Sequence, residues 1–205
     1  NFLYRCAVTA APCGSQTTNN ARLTVFGLPV VTISATDLAL LPNQTSTITA
    51  TSVPGPHATT PGWAWTRNGS SYPGTTNSVV SDIDRLGVFQ VSVTDVNGCR
   101  NSSNQLLIEA ETGDKLWLYP NPTSGQFQVR LFYAGVTSEK RRIQVFNSIG
   151  QEVLSQDILL SNTTSPRYQR FDINLTNQPS GVYLVKVTDL YLKKGKSGFV
   201  IKQTQ

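Results

Sequence analysis

Side chains with the chemistry to cut or carry are sparse in this sequence. The single histidine, His57, lies in the proline-rich run 53–58, and no Gly-x-Ser-x-Gly sequence accompanies it. A histidine-based triad needs a nucleophile and an orienting acid beside the base. His57 is therefore read as a loop residue, and no enzymatic activity is expected of these residues. Asp82 with Asp84, and Asp95 with Asn97, offer oxygens of the kind calcium takes. Such pairs in polar turns are read as solvated, and no cofactor is expected. Cys6, Cys13 and Cys99 are odd in number and show no Cys-x-x-Cys spacing, which argues against a zinc or dithiol redox site. Cys6 has two readings: a small loop closed with Cys13 in an oxidising compartment, or a bond to a residue upstream of position 1. Trp63 and Trp65 share one face of a strand and would suit a sugar platform. With Ala64 and Thr66 outward, they read instead as a core pair.

The elements that must position these residues are strands. Of 205 residues only 14% are charged, and the Ser, Thr, Asn, Gly and Val content suits short strands with polar turns. No run approaches about eighteen apolar residues, so no transmembrane segment is expected. The chain opens without a charged-then-apolar leader, and is read as the C-terminal part of a longer protein. Charge is uneven: five basic and seven acidic residues precede Lys115, but twelve basic and five acidic follow from it. The basic half lacks any nucleic-acid reading motif. A solvated basic face, or an acidic docking partner, is the better account.

Residues 1–27 read as two strands and a turn, with Tyr4, Cys6 and Val8 alternating against Arg5, Ala7 and Thr9. A two-stranded piece is not stable alone. In 28–110, strands are expected around Val31 and Ile33, Thr47 to Thr51, Trp63 to Gly69, Val79 and Val80, Phe89 to Thr94, and Leu106 to Ile108. Their spacing suggests a β-sandwich. Tyr4 to Thr9 superposes on Phe89 to Thr94 at an offset of about eighty-five residues, a module-sized repeat. Gly87 to Cys99 is similar to the end of PKD-like and immunoglobulin-like repeats of bacterial surface proteins, though Val91 stands where a strand cysteine would. Residues 1–27 would then be the last strands of a truncated immunoglobulin-like repeat. Residues 111–115, polar and without pattern, are read as a flexible linker.

Residues 116–205 carry four motifs in order. They are Tyr-Pro-Asn-Pro-Thr-x-Gly-x-Phe at 119–127, a hairpin around Gly150, Pro-Ser-Gly-Val-Tyr-Leu-Val-Lys-Val at 179–187, and a basic end. The prolines fix their own φ and restrict the residues before them, giving a rigid extended stretch. Lacking ladder donors, they belong on an edge or rim. Two hairpins are expected, one turning at Gly150 and one at Pro179 to Gly181. The ordered set resembles the type A C-terminal sorting domain read by the type IX secretion system of Bacteroidetes. Carried over residue by residue, the family's recognition positions are Pro120, Asn121, Pro122, Gly125, Gly150, Gly181 and Tyr183. The basic end maps to Lys193, Lys194, Lys196 and Lys202. Each also has a plain role in folding: turns for the prolines and glycines, core for Tyr183, a solvated edge strand for the lysines.

The expected fold is all-β, in tandem immunoglobulin-like sandwiches followed by a sorting domain that is a sandwich too. The resemblance implies export through an outer-membrane translocon and removal of the domain by a sortase-like protease, with processing at 111–115. It often implies attachment of the cargo to surface lipopolysaccharide. The product would be secreted or held on the outer face of the cell, its immunoglobulin-like repeats acting as adhesive or spacer modules. The alternative places the same tail and spacers on a secreted hydrolase or protease whose catalytic domain lies upstream.

Overall fold

A computed structural model describes residues 2–53, 62–161 and 167–204; His57 lies outside them. Twenty strands and no helix occur among the described residues. The first four, β1 (Phe2–Tyr4), β2 (Ala7–Ala10), β3 (Gly14–Thr17) and β4 (Ala21–Leu23), form one interrupted hairpin with β1 beside β4 and β2 beside β3. The interruption falls at Cys6, whose N–H bonds Thr18 Oγ1 at 3.0 Å while Thr18 N–H returns to the Cys6 carbonyl at 2.9 Å. Residues 2–28 are exposed throughout, as a hairpin without a packed face must be. The Cys6–Cys13 loop is not formed, and both thiols are free. Cys6 sits at the interruption and Cys13 at the tip, separated by the length of β2, about 13 Å at strand rise. A disulfide needs Cα atoms within about 7 Å.

Residues 30–110 form a sandwich. One sheet has the order β10 (Ser78–Asp82), β7 (Thr45–Val53), β5 (Val30–Ala35). The other runs β6 (Ala39–Leu40), β13 (Leu106–Ala110), β11 (Gly87–Thr94), β8 (Gly62–Arg67), β9 (Ser70–Ser71), with β12 (Arg100–Ser102) also beside β11. All six expected strands are present. The period-two pattern holds because alternate residues face one core: Ile33, Ile48, Trp65, Phe89, Val91, Val93 and Ile108 are buried. Trp65 N–H is satisfied by the Thr76 carbonyl at 2.9 Å. Trp63 is half-buried beside that core and Ala64 is exposed, so the pair is no open platform. Two of the turn carboxylates serve the backbone: Asp82 accepts from Asp84 N–H at 3.0 Å, and Asp95 accepts from the N–H groups of Asn97 and Cys99, both at 2.8 Å.

Residues 116–202 form a second sandwich. Its three-stranded sheet is β14 (Trp117–Tyr119), β15 (Gln126–Phe132), β18 (Tyr168–Asn174). Its four-stranded sheet is β17 (Glu152–Leu160), β16 (Glu139–Phe146), β19 (Gly181–Asp189), β20 (Gly195–Lys202). Phe127, Val129, Leu131, Ile143, Val145, Ile173, Tyr183, Val185 and Val200 fill the space between. The Gly150 hairpin forms as β16–β17. The hairpin expected at Pro179 to Gly181 does not. Strand β18 pairs with β15 from Gln126↔Asn174 to Phe132↔Tyr168, and β19 is flanked on both sides by β16 and β20. The turn therefore crosses between sheets, because each strand already has its partners elsewhere.

The two sandwiches meet at a defined contact. Tyr168, fully buried, joins the core of the first sandwich, with Trp117 and Phe132 packed beside it. The Phe132 and Tyr168 rings lie edge to face, centroids 5.3 Å apart. Arg130 forks onto Asp84 with two 2.7 Å bonds. Segment 111–115 is correspondingly anchored rather than flexible. Glu111 N–H bonds the Leu40 carbonyl at 2.9 Å, extending the β13–β6 ladder.

Candidate functional site

Tyr119–Pro120 and Asn121–Pro122 are cis peptides, and the chain bends through 120–122 where an extended stretch was expected. The bend lays Asn121 against the outer edge of β20. Asn121 Nδ2 donates to the Phe199 carbonyl at 2.8 Å, and Ile201 N–H donates to Asn121 Oδ1 at 2.9 Å. A carboxamide has the donor and acceptor of a peptide group, so Asn121 supplies the ladder bonds its flanking prolines do not. Thr123 continues the pairing: its N–H reaches the Ile201 carbonyl at 2.8 Å, and its carbonyl accepts from Gln203 N–H at 2.9 Å. The prolines thus lie on an edge, as their chemistry requires, and half of that edge is closed.

Gly125 follows from the same docking. Thr123 Oγ1 accepts from Gly125 N–H at 3.0 Å and donates to the Gln126 carbonyl at 2.7 Å, making a tight side-chain turn. Gly125 then takes φ +137°, and a Cβ there would stand 2.8 Å from Thr176 Cα. Its carbonyl accepts from Leu175 N–H at 2.6 Å. The first motif is therefore packed on Leu175 and Thr176, just before the third. There Tyr183, with its ring buried, donates its hydroxyl to the Pro179 carbonyl at 2.6 Å and fixes the Pro-Ser-Gly turn. Gly181 has open space where a Cβ would sit.

Gly150 closes the β16–β17 hairpin at φ +80°, a left-handed conformation that glycine takes freely. Asn147 Oδ1 accepts from Gln151 N–H at 2.9 Å beneath it. Register carries these positions to one end of the sandwich: Phe146 lies opposite Leu184, Gly181 opposite Lys202, and Thr123 bridges to Lys202. This is the distal end of β19 and β20, opposite the β19–β20 turn, and Asn121 alone among these positions lines one pocket with Asp114 and Lys115. Val182, Ile201, Phe199 and the hairpin residue Ile149 are exposed apolar side chains along its outer face.

The basic end is divided. Lys202 is buried, 8% exposed, at the distal end, rather than solvated on an edge strand. Lys193 and Lys194 are exposed in the β19–β20 turn at the opposite, proximal end. Lys196, six residues from Lys202 and so about 20 Å away along β20, pairs there with the Asp114 carboxylate. Asp189 shapes that turn by accepting from Tyr191 and Leu192 N–H, each at 2.8 Å; the Leu192 bond most strongly holds its carboxyl below the usual value. Sequence reasoning passed over Asp189 and Thr176, whereas Thr123 stood in the first motif.

Residues 117–202 match the family described as "Secretion system C-terminal sorting domain". The second sandwich is a secretion-system sorting domain. The family resemblance drawn from the motif order is thus met. Among solved structures the chain is similar to the three N-terminal domains of the bacteriophage RB49 Highly Immunogenic Outer Capsid protein, at 14% identity and TM-score 0.39. That likeness covers 86% of this chain and 59% of that one. A dimeric latent PorU from Porphyromonas gingivalis gives 13% identity and TM-score 0.39, over 86% of this chain and 20% of that one. A two-domain fibronectin type III segment of chicken tenascin gives 10% and 0.33, over 85% and 99%. The chain thus spans about three fifths of the first relative and one fifth of the second. No curated protein matches it.

The sorting domain marks a secreted or cell-surface protein. No helix of the described residues is long and apolar enough to cross a membrane. Among the described residues no cluster of three or more metal-ligating side chains occurs.

Proposed function

We propose that the sorting domain directs export by type IX secretion, is read by the translocon at its distal end, and is removed by a sortase-like protease at segment 111–115. The sandwich before it, with the hairpin 2–23, then acts outside the cell as an adhesive or spacer module, held on lipopolysaccharide. The observation carrying this reading is the convergence of Thr123 to Gly125, Gly150, Gly181, Tyr183 and Lys202 on one end, with Asn121 reaching from that end toward segment 111–115. Gly125, Tyr183 and Lys202 are buried and build that end, and the surface offered for recognition is the exposed skin over them: Gly150, Gly181 and the apolar Ile149, Val182, Phe199 and Ile201. Lys193 and Lys194, at the other end, belong with processing rather than recognition.

Fusing residues 111–205 to a periplasm-directed reporter tests this. In a type IX-competent bacterium the reporter is expected outside the cell at its cut mass. A reporter left in the periplasm at full mass overturns the reading.

A further inference from the structure

We propose that segment 111–115 is a strap held shut by docking of the sorting domain on the module before it, so that processing requires the two to separate first. This rests on taking 111–115 as the processing segment. A protease takes its substrate as an extended run of several residues, so a folded chain is cut where the backbone can leave its neighbours. Along the strap the backbone is tied at successive points. Glu111 N–H bonds the Leu40 carbonyl, and the Asp114 carbonyl accepts from Lys196 Nζ at 2.6 Å. The same ammonium pairs with the Asp114 carboxylate. Lys115 Nζ stands 4.4 Å from the centroid of the Trp117 ring, a cation–π contact, and Leu116 is buried. Between them Gly113 crosses Tyr168 so closely that a Cβ would lie 2.4 Å from the Tyr168 hydroxyl. Exposed side chains at Thr112, Asp114 and Lys115 therefore ride on a held backbone.

Two of these ties belong to the dock. Tyr168, under Gly113, is buried in the first sandwich's core, and Trp117, under Lys115, packs against that core. Arg130, its side chain 7% exposed, secures the dock through Asp84. Both Asp84 and Arg130 sit outside the strap, so they can be altered without changing the residues a protease reads.

The test uses the full chain and trypsin, with the product of cleavage after Lys115 followed by mass spectrometry. Arg130→Asp and Asp84→Arg are each expected to speed that cleavage by roughly 5–30-fold, the factor for losing one or two kcal/mol of docking. The combined exchange, which restores opposite charges, is expected to return the rate most of the way to wild type. Gly113→Val, which lifts the strap directly, is expected to match the single exchanges. Cleavage after Lys186, within the sorting domain core sheet, reports global unfolding and is expected to stay slow throughout. The inference is overturned if Lys115 is cut at the wild-type rate in all three single variants. It is equally overturned if Lys186 cleavage rises in step with Lys115, or if the combined exchange fails to restore protection. Failure of the reporter fusion with protection intact removes the secretion reading alone; normal export with an unprotected segment removes the strap alone.

Discussion

The two ends of the sorting domain are held by different physics. At the distal end the contacts are backbone-like and local to the domain: the Asn121 amide on β20, the Thr123 turn, the Gly125 approach to Thr176 and the Tyr183 hydroxyl on the Pro179 carbonyl. At the proximal end they are side-chain contacts across two modules: Tyr168 in another sandwich's core and Arg130 on Asp84. A self-contained end suits a surface that must look the same on every cargo. A shared end couples the domain to the one module it is docked on.

The comparison breaks most visibly at Tyr168. Tyr168→Ala removes a fully buried aromatic from the junction and is expected to cost about 3–5 kcal/mol, read from the denaturant midpoint. Tyr168→Phe is expected to be close to neutral, because the hydroxyl makes no hydrogen bond of good geometry and burial raises its pKa. The nearby Trp117 N–H works against that rise. At the other end, Gly125→Ala sets a Cβ against the backbone of Thr176 and is expected to cost about 1–3 kcal/mol, leaving the Tyr168 contact intact. Gly181→Ala meets no neighbour but still places a Cβ at φ +157°, so it is expected to cost less than Gly125→Ala without being neutral. Asn121→Leu removes two hydrogen bonds at about 1 kcal/mol each and should raise amide exchange at Ile201 but not at Glu111.

The smallest effect is in pH. Arg130 holds the Asp84 carboxyl below its usual value, first by the forked hydrogen bond and then by charge, against burial that raises it. A depressed folded pKa adds stability that is present above the unfolded value, near 4. That stability is lost as pH falls through the folded one. Between about pH 5 and about pH 3 the wild-type melting temperature is therefore expected to fall further than that of Asp84→Asn.

Legibility followed the same division. Alternation at Ile33, Ile48, Val91 and Ile108 located the first sandwich, because each side chain faces the core of its own module. The prolines announced an edge, and Gly125 and Gly150 announced turns, since local sterics decide these. Tyr168 carries no signal of its own in the sequence: periodicity says that a residue is buried, not in which core. Arg130, between Val129 and Leu131, gives no hint of burial in the sequence, because its partner lies 46 residues away. Segment 111–115 looked flexible by composition, although its ties come from Leu40, Tyr168 and Lys196. The cross-sheet path at Pro179 was missed because sequence adjacency favours hairpins, and pairing across β15 and β18 outweighed it.

The most direct measurement fuses a periplasm-directed reporter to residues 28–205 in a type IX-competent bacterium and follows both location and cut mass. Wild type is expected outside and processed, Asn121→Leu with Gly125→Val retained and uncut, and Arg130→Asp exported and processed faster. Export and processing of the distal double variant at the wild-type rate would contradict the assignment of recognition to that end.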